Sequence, residues 1–338
     1  MPEIVPPLQQ HSYAPAVECA MVEHSSRTAV IAALVGNLLV AVSKAIAAAI
    51  SGSSAMLSEA VHSVVDSGNE VLLLYGQHRA GKPPDRTHPL GYGREIYFWS
   101  FVVALLIFAL GAGVSIYEGI VHIQSPEPIR DPTLNFAVYA AAALFEGASW
   151  WFGWKAFQRV RGGRGIFADV RASKDPTSFM VLFEDSAALA GIAIAAAATA
   201  LSVQFHQPWI DGTGSILIGL VLAIVAVLLA RESKALLIGE RASDELTDSL
   251  REATLHQQGV RDVEQVLTTQ LSPDQVIATL SVEFDDKLDV PELEKLIGRI
   301  ESELRRKHPD LFRVFVRPTP SPRKIEPKPS PQAASADA

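Results

Sequence analysis

Residues 58–70 read SEAVHSVVDSGNE, and they sit inside a long run of apolar residues. The stretch carries Glu59, His62, Asp66 and Glu70 at intervals of three and four. That spacing puts all four on one face of a helix. The surrounding run has the length and composition of a membrane span, roughly residues 54–77. An ionisable side chain at the centre of a bilayer costs about 2.5–3.5 kcal/mol on insertion scales, so such residues usually face a protein interior and serve a function.

Five more apolar spans flank this one, at about 27–50, 95–122, 133–157, 177–203 and 209–230. Each is near or above the ~20 residues a helix needs to cross the hydrocarbon core. Small residues, among them Gly111, Gly113 and the AIAAAATA run at 193–200, permit close helix packing in lipid. With the N-terminus inside, the inner loops hold Arg79, Lys82, Arg86, Arg94, Lys155, Arg159, Arg161, Arg164, Arg171 and Lys174, and the outer loops only Arg130. The positive-inside rule then places both termini in the cytoplasm.

After Arg231 the pattern becomes soluble. Residues 242–258 have a helical period, 260–271 and 275–284 alternate like strands, 290–308 form an amphipathic helix, and 311–318 a last strand. The order α-β-β-α-β suits a small ferredoxin-like domain with helices on one face of a sheet. The expected architecture is therefore an α-helical membrane protein with six transmembrane helices and a small α+β cytoplasmic domain. Its parts are a tail (1–26), a transport domain (27–230), a dimerisation domain (231–318) and a disordered Pro/Ser/Ala-rich tail (319–338).

Composition excludes several functions. Of 338 residues 49% are hydrophobic and 20% charged, with a net charge of −8, which argues against a nucleic-acid partner. The single cysteine, Cys19, excludes an intrachain disulfide framework and a Cys-rich metal site. No G-x-x-x-x-G-K-[ST] phosphate loop is present, so ATP is not expected as a driving force. The start lacks both a cleavable signal pattern and clear organelle targeting, which points to a bacterial cytoplasmic membrane.

His62 and Asp66, one turn apart, can hold one cation together, and neutral imidazole and carboxylate are good zinc ligands. The plainer alternative is a polar packing pair; for Glu59 and Glu70, which flank the pair nearer the ends, a role in ion entry stands against snorkelling to the interface. In the fifth span Glu184 and Asp185 are the acids of an apolar stretch. Adjacent helical residues point about 100° apart, so at most one aims squarely at a shared site. Lys44 in the first span is a candidate partner if that acid pair is structural. In the loop KPPDRTHPLGYGRE (82–95), Asp85 and His88 are candidates for a second metal site, set against an ordinary Pro/Gly turn.

Taken together, SGSSAMLSEAVHSVVDSGNE, DRTHPLGYGREIYFWS, FALGAGVSIYEGI, KDPTSFMVLFEDSAALAG and DGTGSILIGLVLAIVAVLL resemble the cation diffusion facilitator family, in order and at the right spacing, over residues 27–318. They look most like its zinc-transporter-nine branch. The resemblance implies a non-enzymatic, proton-coupled exporter of divalent transition metals, working as a homodimer by alternating access. Zn²⁺ is then the transported substrate, the partners are the metal ion, protons and lipid, and no cofactor is implied. Family members coordinate the ion with an acid-or-His-xxx-Asp pair in the second span, matched by His62 and Asp66. The fifth span usually supplies His-xxx-Asp; Asp185 matches, but the His position is Val181. Either Glu184 substitutes in a shifted geometry, or three protein ligands and a water remain. LFEDSAA resembles the LLEDTAA form of that branch. In the loop, Asp85 and His88 match while the third ligand position is Tyr92. The soluble domain has only His256 and His308, so its implied role is dimerisation.

Three rivals follow from the same residues. An oxygen-rich site with one imidazole leans towards Mn²⁺, Fe²⁺ or Co²⁺. An intramembrane metalloenzyme would want H-E-x-x-H, and no second His follows His62 at helical spacing. A metal sensor would want a His/Cys cluster in the soluble domain.

Overall fold

The computed structural model describes residues 16–160, 165 and 174–320. Residues 1–15 and 321–338 of the expected tails, and Arg161, Arg164 and Arg171 of the inner loop, lie outside the described residues. Among the described residues six long helices come first: α1 (Ala16–Ser51), α2 (Ser54–Ala80), α3 (Glu95–Gln124), α4 (Pro132–Val160), α5 (Pro176–Phe205) and α6 (Trp209–Ile238). Helix α1 is helical from Ala16, where a tail to residue 26 was expected. Helix α6 runs to Ile238, past the expected end at 230, and stops where Gly239 takes φ +115°, a left-handed conformation that favours glycine.

Four of these helices have the length and mean hydropathy of membrane spans: Leu34–Ser51 of α1, α3, Phe179–Phe205 of α5 and α6. Helices α2 and α4 are long enough, but their apolar runs are diluted. Glu59, His62, Asp66, Asn69 and Glu70 do this in α2, and Asn135, Glu146 and three Trp in α4. Helix α1 exposes Leu38, Leu39, Val42, Ile46 and Ile50 while it buries Ala41, Lys44, Ala47 and Ala48. Helix α6 exposes Leu217, Leu220, Ile224 and Val227 and buries Ile218, Leu222, Ala226 and Leu229. Helices apolar on both faces belong in lipid.

Helices α3 and α6 cross closely. A side chain on Gly119 would lie 2.6 Å from the Gly212 carbonyl, and one on Gly212 would lie 2.8 Å from the Gly119 carbonyl. Without aqueous burial to drive association, such small-residue contact is what packs spans together. Gly111, singled out by composition, meets only Leu222 Cδ1 at 3.4 Å and its own helix, and Gly113 has no neighbour outside its helix. Gly111 lies within a π turn of α3, Ile107–Ala112, and Gly113 directly follows it.

The soluble domain follows the expected order: α7 (Asp244–Leu255), β1 (Val260–Ser272), β2 (Gln275–Phe284), α8 (Val290–Lys307) and β3 (Leu311–Thr319). The sheet order is β1-β2-β3, with β1 antiparallel to β2 (Val266 opposite Leu280) and β3 parallel to β2 (Val314 opposite Ala278). Helix α8 is the crossover that a parallel pair needs. Asp289 and Glu292 form a capping box at its start, and Leu296, Ile300 and Leu304 line its buried face. They pack with Val263, Ala278, Leu280 and Val282 of the sheet.

The loop after α2 reaches this domain: a side chain on Gly93 would lie 3.1 Å from the Leu271 carbonyl. Lys174 pairs with Glu240 at 3.0 Å, and the Glu240 carbonyl accepts the Gln270 N–H.

Candidate functional site

Helix α2 starts under unusual control. Ser53 caps it, its hydroxyl accepting the Met56 N–H at 3.1 Å. Asp211 at the start of α6 is fully buried and accepts from Ser53 Oγ (2.9 Å to each oxygen), Ser54 Oγ (3.2 Å), the Ala55 N–H (3.1 Å) and Thr199 Oγ1 (3.4 Å). A carboxylate at a helix N-terminus meets the positive end of the dipole. Ser215 of α6 bonds Ser54 and Ser58, so α2, α5 and α6 are tied at this end. Sequence reasoning noted the DGTGS stretch of α6 only as a family match and missed Asp211 as a cap.

From that anchor α2 carries its polar face into the bundle. Glu59 is fully buried and salt-bridged to Lys44 of α1, Nζ to Oε2 at 3.0 Å; Lys44 also donates to Ser63 Oγ at 2.8 Å. Lys44, expected as a partner for the fifth-span acids, pairs instead with Glu59, and Glu59 does not snorkel. One turn on, His62 is 1% exposed, and neither ring nitrogen has a hydrogen-bond partner among the described residues. Its Nδ1 lies 3.3 Å from Asp66 Oδ1, off the line a hydrogen bond needs, and that oxygen is unpartnered too. Glu70 accepts from Asn37 of α1 at 3.1 Å and is not fully buried.

The acids of α5 part company, as their 100° separation requires. Glu184 is buried and accepts from Asn69 of α2 at 2.9 Å, whereas Asp185 accepts from Ser149 of α4 at 2.8 Å. Val181, at the position where the resembled family has His, is 41% exposed. Of these fifth-span positions it is Glu184 that is hydrogen-bonded to α2. A further acid, Glu146 of α4, is buried, one turn before Ser149, and within electrostatic reach of Lys44, Asp66 and His62. It was missed, though ALFEGAS (143–149) echoes VLFEDSA (181–187) in the sequence. His62, Asp66, Glu184 and Asp185 thus border one polar interior shared by α2, α4 and α5. Among the described residues no three His, Cys, Asp or Glu converge tightly enough to hold a metal in this conformation.

The loop pair is arranged differently. Asp85 Oδ1 accepts the N–H groups of Thr87 (2.8 Å) and His88 (2.6 Å), and Oδ2 accepts the Tyr92 hydroxyl (2.8 Å). The His88 amide, then the Tyr92 hydroxyl, hold the Asp85 carboxyl below the usual range. His88 Nδ1 is 3.8 Å from Asp85 Oδ1, and its ring lies against Tyr92.

Long apolar helices with a polar interior, joined to a small α/β domain, define a multi-pass integral membrane protein built to handle something charged. The chain belongs to the cation efflux family. Residues 30–238 match its cation efflux transmembrane domain and 242–321 its cytoplasmic domain. It is a family of metal-cation transporters, not of enzymes, with the metal as substrate and not as a resident cofactor. Among similar proteins are metal tolerance protein C4 of Arabidopsis thaliana (32% identical, over 82% of this chain and 61% of that one) and the mitochondrial proton-coupled zinc antiporter SLC30A9 of Homo sapiens (30%, over 70% and 42%). Magnetosome protein MamM of Magnetospirillum gryphiswaldense is 23% identical over 66% of each chain. The chain thus spans less than two thirds of the length of the first two relatives.

Proposed function

We propose that this protein exports divalent transition-metal ions, Zn²⁺ foremost, in exchange for protons by alternating access. It does so through six membrane spans, as a homodimer joined by its soluble domain. Both termini lie in the cytoplasm, a reading supported by the loop arginines and lysines. The observation that carries the function is the pairing of His62, buried with two unpartnered ring nitrogens, and Asp66 Oδ1, equally unpartnered. A buried polar atom without a partner costs about 1–3 kcal/mol, so these atoms are held ready for a ligand that this conformation does not yet enclose. Imidazole and carboxylate together suit zinc.

Asp185 and Glu184 complete the ion's shell by exchanging their Ser149 and Asn69 hydrogen bonds for the metal as α2 and α5 close on it. Glu70 stands between this site and the cytoplasmic end of α2, where it receives the incoming ion. Protons displace the metal on the other side, because each ligand must be deprotonated to bind a cation. Asp85 and His88 serve as a turn cap outside the transport path. One observation favours a second ion class: with an exposed valine at position 181, the set holds one imidazole and three carboxylates, a balance that also suits Mn²⁺, Fe²⁺ or Co²⁺.

The test is transport in proteoliposomes with a trapped metal-sensing dye and an imposed pH gradient. Zn²⁺ should enter with wild type and collapse part of the gradient, and Mn²⁺, Fe²⁺ and Co²⁺ run in parallel rank the ions. Metal flux that ignores the gradient would remove proton coupling from the mechanism.

A further inference from the structure

The Lys44–Glu59 pair is an oddity in a bundle built for a cation. Lys44 and Glu59 are both fully buried, and Ser63 takes another ammonium proton. Glu59 Oε1 has no hydrogen-bond partner among the described residues and lies close to where a Cβ on Gly191 of α5 would stand, so the glycine leaves the carboxylate its place. Stability does not account for the pair, since replacing a buried ion pair by apolar residues is often neutral or favourable. What the pair controls is charge. Glu59, His62 and Asp66 form one stripe on α2, and an unpaired Glu59 would offer the ion a third ligand one turn beyond His62.

We propose that Lys44 is a resident cation that occupies Glu59, keeps it out of the ion's coordination shell, and so confines the transported metal to the His62–Asp66 side. Lys44 is in this sense a positioning residue. The inference rests on reading His62 and Asp66 as the transport site.

The test is Zn²⁺ affinity of the full-length purified protein, by competition with a chelating dye, combined with transport. Lys44→Met frees a carboxylate, so affinity should tighten by on the order of tenfold, with KM and turnover falling together because the ion leaves slowly. Glu59→Gln leaves the ammonium unneutralised, so affinity should weaken by on the order of tenfold. The double variant removes both charges and should return to within about threefold of wild type, and Lys44→Arg should stay close to it. A merely structural pair predicts loss of affinity in both single variants. That pattern, or a double variant no better than the worse single, overturns the proposal. Where Lys44→Met does not accumulate, Glu59→Gln against the double variant decides by the same signs. Asp66→Ala in the same assay tests the underlying reading separately: wild-type affinity there sinks the transport site, whatever the signs at Lys44.

Discussion

The two ends of one polar stripe on α2 obey opposite rules. At its first turn, the Asp211 carboxylate collects the Ser53 and Ser54 hydroxyls, the Ala55 amide and Thr199, and every donor there has an acceptor. Two to three turns further in, His62 is as deeply placed, and neither it nor Asp66 Oδ1 has a hydrogen bond among the described residues. Low dielectric makes both arrangements consequential: a satisfied network fixes a structure, an unsatisfied one is costly. On the reading proposed above, the difference separates polar residues that hold this bundle together from those that receive the ion. It also gives each set a distinct failure when mutated.

The largest effect should come from the unsatisfied set. His62→Ala and Asp66→Ala should each lower the Zn²⁺ transport rate in proteoliposomes by about a hundredfold or more, since even outer-shell partners of metal ligands are worth 10–100-fold. Their melting temperatures in detergent should stay close to wild type, because no hydrogen bond is broken and only the 3.3 Å contact between the two side chains is lost. A large loss of stability with transport intact would place both residues with Asp211 and erase the contrast.

The satisfied end should behave the other way round. Asp211→Ala strands the Ser53, Ser54 and Ala55 donors, each at a cost of about 1–3 kcal/mol when left unpaired. Folded yield and melting temperature should drop sharply, while the protein that does fold binds Zn²⁺ within a few-fold of wild type. If affinity is lost together with stability, the anchor also shapes the site, and the two ends of α2 are one unit.

How much of this the sequence disclosed follows the same division. Apolar length makes α1, α3, α5 and α6 readable as spans, and strict periodicity makes α7 to β3 readable, down to Pro291 in the first turn of α8. The orphan pair was readable because its spacing of four is local. Asp211 escaped because its partners on α2 lie 156–158 residues away, and no spacing rule reaches that far. Lys44 escaped in a subtler way. Its need for an acid was plain, but which acid depends on how α1 packs on α2. Glu146 could have been found from the Leu-Phe-Glu that α4 shares with α5.

The soluble domain offers a calibrated version of the satisfied case. Ser243 caps α7, its hydroxyl accepting the Leu246 N–H at 3.2 Å. Ser243→Ala should cost about 1 kcal/mol, within the 0.5–2 usual for an N-cap. That is read as a lower denaturant midpoint for the soluble domain of the intact protein, with unchanged transport. It sets the scale against which the Asp211 effect should be several times larger.

The smallest effect should be at Asp85, where the comparison is sharpest because the residue was a metal-ligand candidate. Its carboxyl is held below the usual range by the His88 amide and the Tyr92 hydroxyl. A carboxyl with a lowered folded pKa contributes order above its unfolded pKa, near 3.9, and loses it only as pH falls through the lower folded value. Between pH 5 and 8 the loop should therefore keep constant hydrogen-exchange protection. Asp85→Asn retains an oxygen for the Thr87 and His88 amides, so loop protection and Zn²⁺ stoichiometry should both hold, whereas Asp85→Ala should lose the protection alone. A drop of one Zn²⁺ per protomer in Asp85→Asn would make the loop a second metal site. A satisfied carboxylate would then still be able to trade its hydrogen bonds for an ion, as the proposed transport cycle asks of Glu184 and Asp185.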